Sequence, residues 1–523
     1  MVFAIWQEPP VTSSLYSNQT VAAVVSSVGI EGLLSVDGNG EYYPVLATKV
    51  PTVQNGGAKI SSDGTRLDVT YELVPGVKWS DGEPFTSADV KFTWQTILKD
   101  PKIVSREGYD QIDSIDTPND TTAVIHYKNV YAPFATRFQS IMPKHLLEKE
   151  ADISKSDYPR RPMGTGPFKF TEFASGDHIT AERNPNFRVK DKPYLDKIIF
   201  RSVPSREVAV AQVKAGEVDG MWNLLDSLVP DLEREPNVNI LSYEGTSVER
   251  IEMNMAKNQE GTDPNSKHAV LGELAMRQAL LYATPKQQII DTLLFGKAKP
   301  GNSPVPKGWA APKGLVQEGY DRNKANEVLD KAGWVRGSDN IRSKNGVRAA
   351  LTINTTTGDQ TREQTEQVLV TEWKKIGVAL EIKNIPSTVL LTASWSAGDP
   401  RKHGVFDLVE YSSGPDPDPH STVNLRYSSK NIPTPANGGD GQNYTRVQDP
   451  VIDQAIAEAG SSVDQEKRKA AYLRALTRLN EISPVIWLYE RSRLEAFRTN
   501  VFGLRPNSWR DITWNAEDWF IRK

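Results

Sequence analysis

The sequence contains no cysteine, no excess of basic residues and no long apolar run. The absence of cysteine excludes disulfide bonds, thiol nucleophiles and cysteine-ligated metals. The 62 Lys and Arg residues are offset by 66 Asp and Glu residues, so the basic surplus typical of a nucleic-acid-binding protein is missing. A membrane-spanning helix needs roughly 18 consecutive apolar residues, and the sequence has no such run. We therefore expect neither nucleic acid nor a spanning helix.

The size and composition indicate a globular protein with several lobes. A chain of 523 residues is too long for one ordinary hydrophobic core and should divide into two or three. Hydrophobic residues make up 38% and charged residues 24%, which is typical of folded rather than disordered chains. The 12 tryptophans offer flat apolar faces with one N–H donor each, suited to core filling and to ligand stacking.

The segment from Lys78 to Trp94 predicts a turn followed by a capped helix. Asp81 and Gly82 favour a tight turn, because glycine tolerates positive φ and aspartate bonds its own backbone. Thr86 and Asp89 have the three-residue spacing of a capping box at a helix start. Apolar residues then recur at helical spacing, so one face of this helix should be buried.

Two other stretches have the strand and helix order of α/β proteins. Residues 205–215 predict a helix that ends at Gly216 and leads directly into a strand at residues 218–222. The second stretch is a strand, a helix and a strand at residues 351–354, 362–376 and 378–382. Such a crossover favours a right-handed connection between parallel strands.

Sequence patterns of enzymes and metal sites are weak. The six histidines have no zinc-binding spacing, and no Gly-x-Ser-x-Gly nucleophile motif occurs. Asp416-Pro417-Asp418 begins like a calcium loop, but Ser421 and Tyr427 stand where glycine and glutamate are needed. We expect no catalytic residue, no metal site and no cofactor. A hydrolase that uses paired carboxylates stays open among the acidic residues, although no spacing singles out a pair.

The segment around the turn and capped helix resembles a signature of a known family. The residues that carry the resemblance are Tyr71-Glu72-Leu73 and Gly76-Val77-Lys78-Trp79-Ser80-Asp81-Gly82-Glu83-Pro84-Phe85-Thr86-Ser87-Ala88-Asp89-Val90, with Gly164-Thr165-Gly166-Pro167-Phe168 later in the chain. They resemble the family 5 extracellular solute-binding proteins, the oligopeptide, dipeptide and nickel receptors of ABC importers. The resemblance implies an α/β, two-lobed periplasmic-binding-protein fold with mixed sheets and an additional small domain, of the cluster C or class II type.

The domain boundaries follow from this resemblance and from the predicted elements. Lobe I is expected to comprise residues 1–45, 165–245 and 490–523. An additional small domain at residues 46–164 should pack on lobe I, and residues 246–489 should form lobe II, the second ligand-binding lobe. Within lobe I, a helix is expected over residues 21–34.

The resemblance also implies a function. The protein should be an extracytoplasmic receptor rather than an enzyme, which captures a ligand between two lobes by hinge closure and delivers it to the permease subunits of an importer. An oligopeptide is the expected ligand, with an oligosaccharide or another neutral solute as the alternative, and a nickel chelate below both. We expect a monomer in the periplasm or outside the cell. Residues 1–8 do not read as a signal peptide, so any contact with the membrane would be through a lipid anchor removed with the signal.

The candidate binding residues centre on a strand that ends in small residues. The strand at residues 405–411 leads into Ser412, Ser413 and Gly414, where a ligand could approach the backbone and pair with it. By resemblance, Glu8 and Trp222 lie at the edge of the ligand site, and Trp6, Trp222, Trp487 and Trp509 are candidate aromatic walls. The full set of candidates is Glu8, Trp222, Asn254, Tyr411, Ser412, Ser413, Gly414, Asp416, Asp418, Trp487, Tyr489 and Trp509.

One position departs from the peptide receptors. Alignment of Asp418-Pro419 with the family's Asp-Pro turn places Pro415 where those receptors carry the carboxylate that holds the peptide amine. Asp416, one residue away, could substitute for it. Without a counter-charge, burying an ammonium group costs several kcal/mol. The departure therefore keeps the oligosaccharide alternative open.

Overall fold

The computed structural model describes residues 1–17, 19–259, 263–392, 395 and 398–522. The strands in chain order are β1 (Val2–Ile5), β2 (Leu34–Val36), β3 (Tyr42–Pro44), β4 (Ala58–Ile60), β5 (Leu67–Glu72), β6 (Ile112–Asn119), β7 (Thr122–Tyr127), β8 (Phe168–Ala174), β9 (His178–Arg183), β10 (Lys197–Ser202), β11 (Gly220–Met221), β12 (Val238–Met253), β13 (Lys299–Pro300), β14 (Val335–Arg336), β15 (Arg342–Lys344), β16 (Val347–Arg348), β17 (Ala350–Asn354), β18 (Ala379–Ile382), β19 (Leu408–Ser413), β20 (Val485–Arg498), β21 (Val501–Phe502) and β22 (Phe520–Ile521). The helices are α1 (Thr20–Ser26), α2 (Ser87–Lys99), α3 (Lys144–Leu147), α4 (Arg206–Ala215), α5 (Val229–Leu232), α6 (Leu274–Tyr282), α7 (Lys286–Leu293), α8 (Arg322–Lys331), α9 (Gln360–Lys375), α10 (Ser387–Leu390), α11 (Pro400–His403), α12 (His420–Tyr427), α13 (Pro450–Ser461) and α14 (Gln465–Ile482).

The chain divides into two compact units. Unit 1 comprises residues 1–244, 461–463 and 493–523, and unit 2 comprises residues 245–460 and 464–492. Strand β12 carries the chain from unit 1 into unit 2, and β20 carries it back. The expected division into lobe I, lobe II and a separate small domain stays a prediction.

The main sheet of unit 1 has the order β20-β11-β1-β10-β9-β8. Strand β1 is parallel to β10 and to β11, whereas β9 and the end of β20 run antiparallel to their neighbours, so the sheet is mixed. Phe3 stacks on Phe497 with ring centroids 5.5 Å apart, and Trp519 packs against both rings. These aromatic rings form a core on one face of the sheet.

A second sheet in unit 1, in the order β4-β5-β7-β6, packs with helix α2 around a core that includes Trp79. The predicted capping box at the start of α2 is confirmed: Thr86 N donates to Asp89 Oδ2 at 2.8 Å, and the Thr86 side chain accepts from the Asp89 backbone. The alternation of buried and exposed residues along β5 agrees with the half-buried strand expected from the sequence.

Unit 2 contains the sheet β18-β17-β19-β12-β20, with β13 on β20. The predicted crossover is confirmed, because α9 connects β17 to the parallel strand β18. Leu369, Trp373 and Ile376 are fully buried, as the helical spacing predicts. Strand β19 is parallel to β17 and antiparallel to β12, so this sheet is mixed as well.

The prediction of a helix over residues 21–34 is wrong in the length of the helix. Helix α1 ends at Ser26, and the chain enters β2 at Leu34. Between them, Gly29 and Gly32 lie so close to other backbone that a Cβ would come within 2.8 Å of Phe168 O and 2.5 Å of Phe138 O. Tertiary packing of two glycines therefore overrides the apolar periodicity. By contrast, α4 is confirmed, with Gly216 at φ 77° after its last turn.

Across the described ranges, no helix combines the length and the apolar character that crossing a membrane requires.

Candidate functional site

The predicted strand end lies on β19 in unit 2, next to β12. The register pairs Tyr411 with Arg250 and Ser412 with Glu249. Because side chains alternate along a strand, Tyr411 and Ser413 face one side of the sheet, and Ser412 faces the other. After the strand, Gly414 passes Thr246 so closely that a Cβ would lie 2.7 Å from Thr246 Oγ1 and 2.8 Å from its carbonyl oxygen. Only glycine fits this approach.

On one side of the sheet, five side chains form what we call the Tyr411 cluster: Arg250, Glu252, Tyr411, Ser413 and Arg426. Glu252 Oε1 accepts hydrogen bonds from Arg250 Nε and from the Tyr411 hydroxyl, both at 2.8 Å. The Arg250 guanidinium lies 4.2 Å from the centroid of the Tyr411 ring. Ser413 Oγ accepts from Arg250 Nη1 at 2.6 Å and also from Arg426. Two guanidinium groups therefore meet at one serine of the strand end.

On the other side, the Ser412 cluster consists of Glu249, Arg362, Glu410, Ser412 and Arg491. Arg362 Nε lies 2.9 Å from Glu249 Oε1, and Arg491 Nη1 lies 3.3 Å from Glu249 Oε2. Both arginines also donate to Ser412 Oγ, at 3.3 and 3.4 Å. This serine, like Ser413, lies between two guanidinium groups.

Glu410 is the fully buried carboxyl group of the Ser412 cluster. Its two oxygens have no hydrogen-bond partner within the described residues. Burial raises its pKa well above the usual range, and the neighbouring charge of Glu249 adds to the effect. Burial thus favours the neutral form of Glu410, in a cluster that also holds two arginines and the Glu249 carboxyl group.

Four of the remaining predicted residues of unit 2 are buried: Asn254, Asp418, Trp487 and Tyr489. Asn254 Nδ2 donates to the carbonyl oxygens of Gly404 and Phe406. Asp418 forms a two-fold ion pair with Arg468, at 2.6 and 2.7 Å. The other two, Trp487 and Tyr489, are each 1% exposed. Asp416 lies on the surface after the strand end, and Pro415 is buried.

Trp487 Nε1 donates to Asn480 Oδ1 at 3.0 Å. Within the described part of the chain, the Tyr489 hydroxyl is buried without a hydrogen-bond partner. Of these two aromatic residues, Tyr489 alone keeps an unused polar group.

The other predicted residues lie in unit 1. Trp222 stacks on Trp6, with centroids 6.0 Å apart and the planes 9° from parallel, and the Arg206 guanidinium lies 3.7 Å from the Trp6 ring. Glu8 accepts from Gly176 N at 2.7 Å and from Ser175 Oγ at 3.0 Å, so it holds a turn.

Trp509, also in unit 1, packs against Gly40, where an added Cβ would lie 3.0 Å from the indole nitrogen. Its backbone N–H donates to Asn507 Oδ1 at 2.9 Å.

The charged residues of the two clusters were not predicted from the sequence. One signal was available: Glu249, Arg250 and Glu252 alternate with Val248, Ile251 and Met253 at the end of β12, and Glu410 interrupts β19. Charges inside a buried strand are uncommon unless they are paired. Arg426 and Arg491 lie far along the chain from these strands, and no local pattern indicates them.

Glu366, near Arg362 on α9, gives the first testable prediction. Burial raises its pKa to about 7, although Asn384 Nδ2 donates to its carboxylate at 2.6 Å. Since the unfolded chain releases this proton at lower pH, the stability that Glu366 contributes is present below about pH 4.5 and is lost as the pH rises to 7. Between pH 5 and pH 8, the unfolding free energy of Glu366→Gln should therefore fall by about 2 kcal/mol less than that of the wild-type protein.

Urea unfolding at pH 5 and pH 8 would measure this difference. Glu381→Gln is the matched control, because that side chain is 68% exposed and should leave the pH dependence unchanged. Parallel pH curves for wild type and Glu366→Gln would contradict the assignment.

The mixed α/β units and the similarity to solved structures place the chain in the periplasmic-binding-protein class. Residues 41–434 match the family model described as bacterial extracellular solute-binding proteins, family 5 Middle, and the chain belongs to this family. The family resemblance and the expected fold class are thereby confirmed. The family is one of extracellular solute-binding receptors.

Several relatives are similar over most of the chain or all of it. The oligopeptide-binding protein AppA of Bacillus subtilis is 26% identical over 99% of this chain and 90% of that protein. Its structure with a nonapeptide has a TM-score of 0.82, at 25% identity, over 100% of this chain and 99% of that one. NikZ from Campylobacter jejuni, in complex with Ni(L-His), has a TM-score of 0.83 at 25% identity over 99% of both chains. Protein XP55 of Streptomyces lividans is 28% identical over 84% of this chain and 75% of that protein.

Proposed function

We propose that this protein is the substrate-binding receptor of an ABC importer and that its ligand is an oligopeptide. The observation that carries the proposal is the likeness to AppA, which covers 99% of the chain in sequence and 100% in structure. The permease subunits of the importer are its partners, and it binds its ligand without turnover. It acts outside the cytoplasm. A lipid anchor, a monomeric state and closure of two lobes over the ligand stay predictions.

The strand end of β19 supports an extended peptide as the ligand. Ser412, Ser413 and Gly414 are partly exposed, and Gly414 has no side chain to keep a second backbone away. An extended chain can pair its N–H and C=O groups with such a backbone whatever its side chains are. We propose that this segment forms backbone contacts with the peptide. Asn254 and Asp418 are bonded inside the fold, so we propose a structural role for these two candidate residues.

Mass spectrometry of the natively purified protein tests the ligand class. We expect a set of co-purified masses that fragment into amino-acid residues, and calorimetric binding of synthetic peptides without any cleavage product. Masses spaced by hexose units, with no binding of peptides, would reject the peptide and support the oligosaccharide alternative. Release of a cleaved product would reject the receptor role.

Asp416 gives a prediction about the peptide amine. If this exposed carboxylate replaces the one missing at Pro415, Asp416→Ala should weaken the binding of a free-amine peptide about tenfold, or about 1.4 kcal/mol. Calorimetry with the free and the N-acetylated peptide separates the amine contact from general effects. The acetylated peptide should bind wild type and variant equally.

The matched control is Asp291→Ala, an exposed aspartate on α7, which should change neither affinity. An unchanged affinity of Asp416→Ala for the free-amine peptide would remove Asp416 from the site.

A further inference from the structure

The small sheet of β21 and β22 in unit 1 has one covered face and one uncovered face. Its two strands are antiparallel and pair Val501 with Ile521 and Phe502 with Phe520. Val501 and Ile521 pack on the core around Phe3. Because side chains alternate along a strand, Phe502 and Phe520 lie on the opposite face. The solvent-facing side of an antiparallel sheet is usually polar, but here it is aromatic, and Phe520 is 37% exposed.

Tyr194 extends this aromatic face to a row of three rings. Phe502 stacks on Phe520 with ring centroids 5.4 Å apart, and Tyr194 meets Phe520 edge-on with centroids 6.1 Å apart. The Tyr194 side chain is 51% exposed, and its backbone N–H donates to Glu517 O at 3.4 Å. We call Tyr194, Phe520 and Phe502 the aromatic row. Single exposed apolar residues are common on proteins, whereas a contiguous group indicates a surface that contacts a partner.

Cationic groups flank both ends of the aromatic row. Lys192 Nζ lies 3.7 Å from the centroid of the Tyr194 ring at one end, and the Arg522 guanidinium lies 4.6 Å from the ring centroid at the other. Lys192 and Arg505 pair with the same carboxylate, that of Asp518. Within the described part of the chain, Arg522 has no acidic partner. Three cations therefore stand against one carboxylate at the edge of the row.

The other charged groups nearby do not reverse this balance. Burial raises the pKa of Glu517 and so disfavours its charged form. Lys190 and Asp191, in the loop before Tyr194, are both exposed and carry opposite charges. The surface around the aromatic row is therefore positively charged.

We propose that the aromatic row binds the surface of a lipid bilayer that contains anionic phospholipids. Aromatic rings favour the boundary between lipid headgroups and acyl chains, and lysine and arginine side chains beside them extend toward the phosphates. A second copy of the chain fits this surface less well, because a two-fold contact would bring the same cations of both copies together.

This contact goes beyond the proposed function, since it needs no particular ligand and is separate from any lipid anchor. It holds the receptor at the membrane surface, where the permease of an importer lies. The receptor then reaches the permease by diffusion along the bilayer.

Flotation of the protein with lipid vesicles tests the proposal. One set of vesicles contains phosphatidylcholine alone, and the other contains an equal amount of phosphatidylglycerol. We expect the fraction bound to the anionic vesicles to be about fivefold higher than the fraction bound to the neutral ones. High salt should lower it, because salt screens the attraction between the charges. No binding to the anionic vesicles, or equal binding to both sets, would overturn the proposal.

The double variant Tyr194→Ser/Phe520→Ser tests whether the aromatic row makes the contact. Both side chains are exposed, so the variant should keep the wild-type melting temperature while its binding to anionic vesicles falls about fivefold. Phe295→Ser, at an aromatic side chain of unit 2 that is 50% exposed, is the matched control and should bind like wild type. Vesicle binding that survives in the double variant assigns the contact to another surface, and the proposal is then wrong.

Arg522→Gln tests the charge beside the row. This variant keeps the three rings, and its preference for anionic over neutral vesicles should fall about threefold. Arg66→Gln, at an exposed arginine of the same unit, should keep the full preference. An unchanged preference in Arg522→Gln would remove this cation from the contact.

Two measurements without lipid separate the remaining outcomes. Calorimetry should give the double variant the peptide affinity of wild type. If peptides bind but vesicles do not, this inference fails alone, and if vesicles bind but peptides do not, the peptide proposal fails alone. Light scattering tests the second copy as the occupant: a wild-type dimer that the double variant loses would assign the aromatic row to self-association and overturn the membrane contact.

Discussion

Replacing Arg468 with methionine should lower the free energy of unfolding by about 3–5 kcal/mol. Arg468 donates to both oxygens of Asp418, to the carbonyl oxygen of Ala459 at 2.8 Å and to the Tyr472 hydroxyl at 3.1 Å. Both members of the ion pair are buried. The variant therefore leaves the Asp418 carboxylate in a low-dielectric interior without its counter-charge. Urea denaturation followed by tryptophan fluorescence measures the loss.

Two further variants make this expectation specific. Arg474→Met removes an arginine that is 50% exposed, and it should change stability by no more than about 0.5 kcal/mol. The double variant Asp418→Leu/Arg468→Met should be more stable than Arg468→Met alone, because it buries no unpaired charge. A double variant as unstable as the single one would show that packing around Arg468, and not the charge pair, carries the stability.

Gly164→Ala should destabilise the protein by about 3 kcal/mol or prevent folding. A Cβ at Gly164 would lie 2.0 Å from the carbonyl oxygen of Gly29 and 2.9 Å from Ile30 Cδ1. Gly166 approaches the same backbone, and its N–H donates to Gly29 O at 3.0 Å. Backbone atoms cannot move aside as a flexible side chain can, so the two segments would have to separate. Thermal unfolding and the yield of folded protein report the effect.

Gly38→Ala is the matched control for this glycine. A Cβ at Gly38 meets no atom within 4 Å and needs no positive φ, so its effect should stay within about 0.5 kcal/mol. If Gly164→Ala unfolds at the wild-type temperature, the close approach of the two backbone segments is not as described.

Local chemistry made much of the fold predictable. The capping box of Thr86 and Asp89, the end of α4 at Gly216 and the buried stripe of α9 depend on residues a few positions apart, and each is found where the sequence places it. The end of α1 was not predictable in this way. It depends on Gly29 and Gly32 packing against residues about 140 and 106 positions away in the chain, Phe168 and Phe138.

The candidate site was predictable only along its backbone. The sequence itself shows a strand of mainly apolar residues that ends in the small residues Ser412, Ser413 and Gly414. The charges around it have no such signal in the sequence, because Arg362, Arg426 and Arg491 come from three separate elements. They reach Ser412 or Ser413 only after the sheet has formed. Burial of Asn254, Trp487 and Tyr489 likewise depends on long-range packing. Residue type alone does not separate an indole that lines a cavity from one that fills a core.

Unit 1 is built from segments that lie far apart in the chain. This division affects the order in which the two units can fold during synthesis. Residues 245–460 and 464–492 are complete before residues 493–523 have left the ribosome, whereas Phe497 and Trp519 of the latter segment fill the core around Phe3. Strand β1 is therefore made well before the residues that complete its core. Unit 1 can close this core only after the whole of unit 2 has been made, because Phe497 and Trp519 follow residue 492 in the chain.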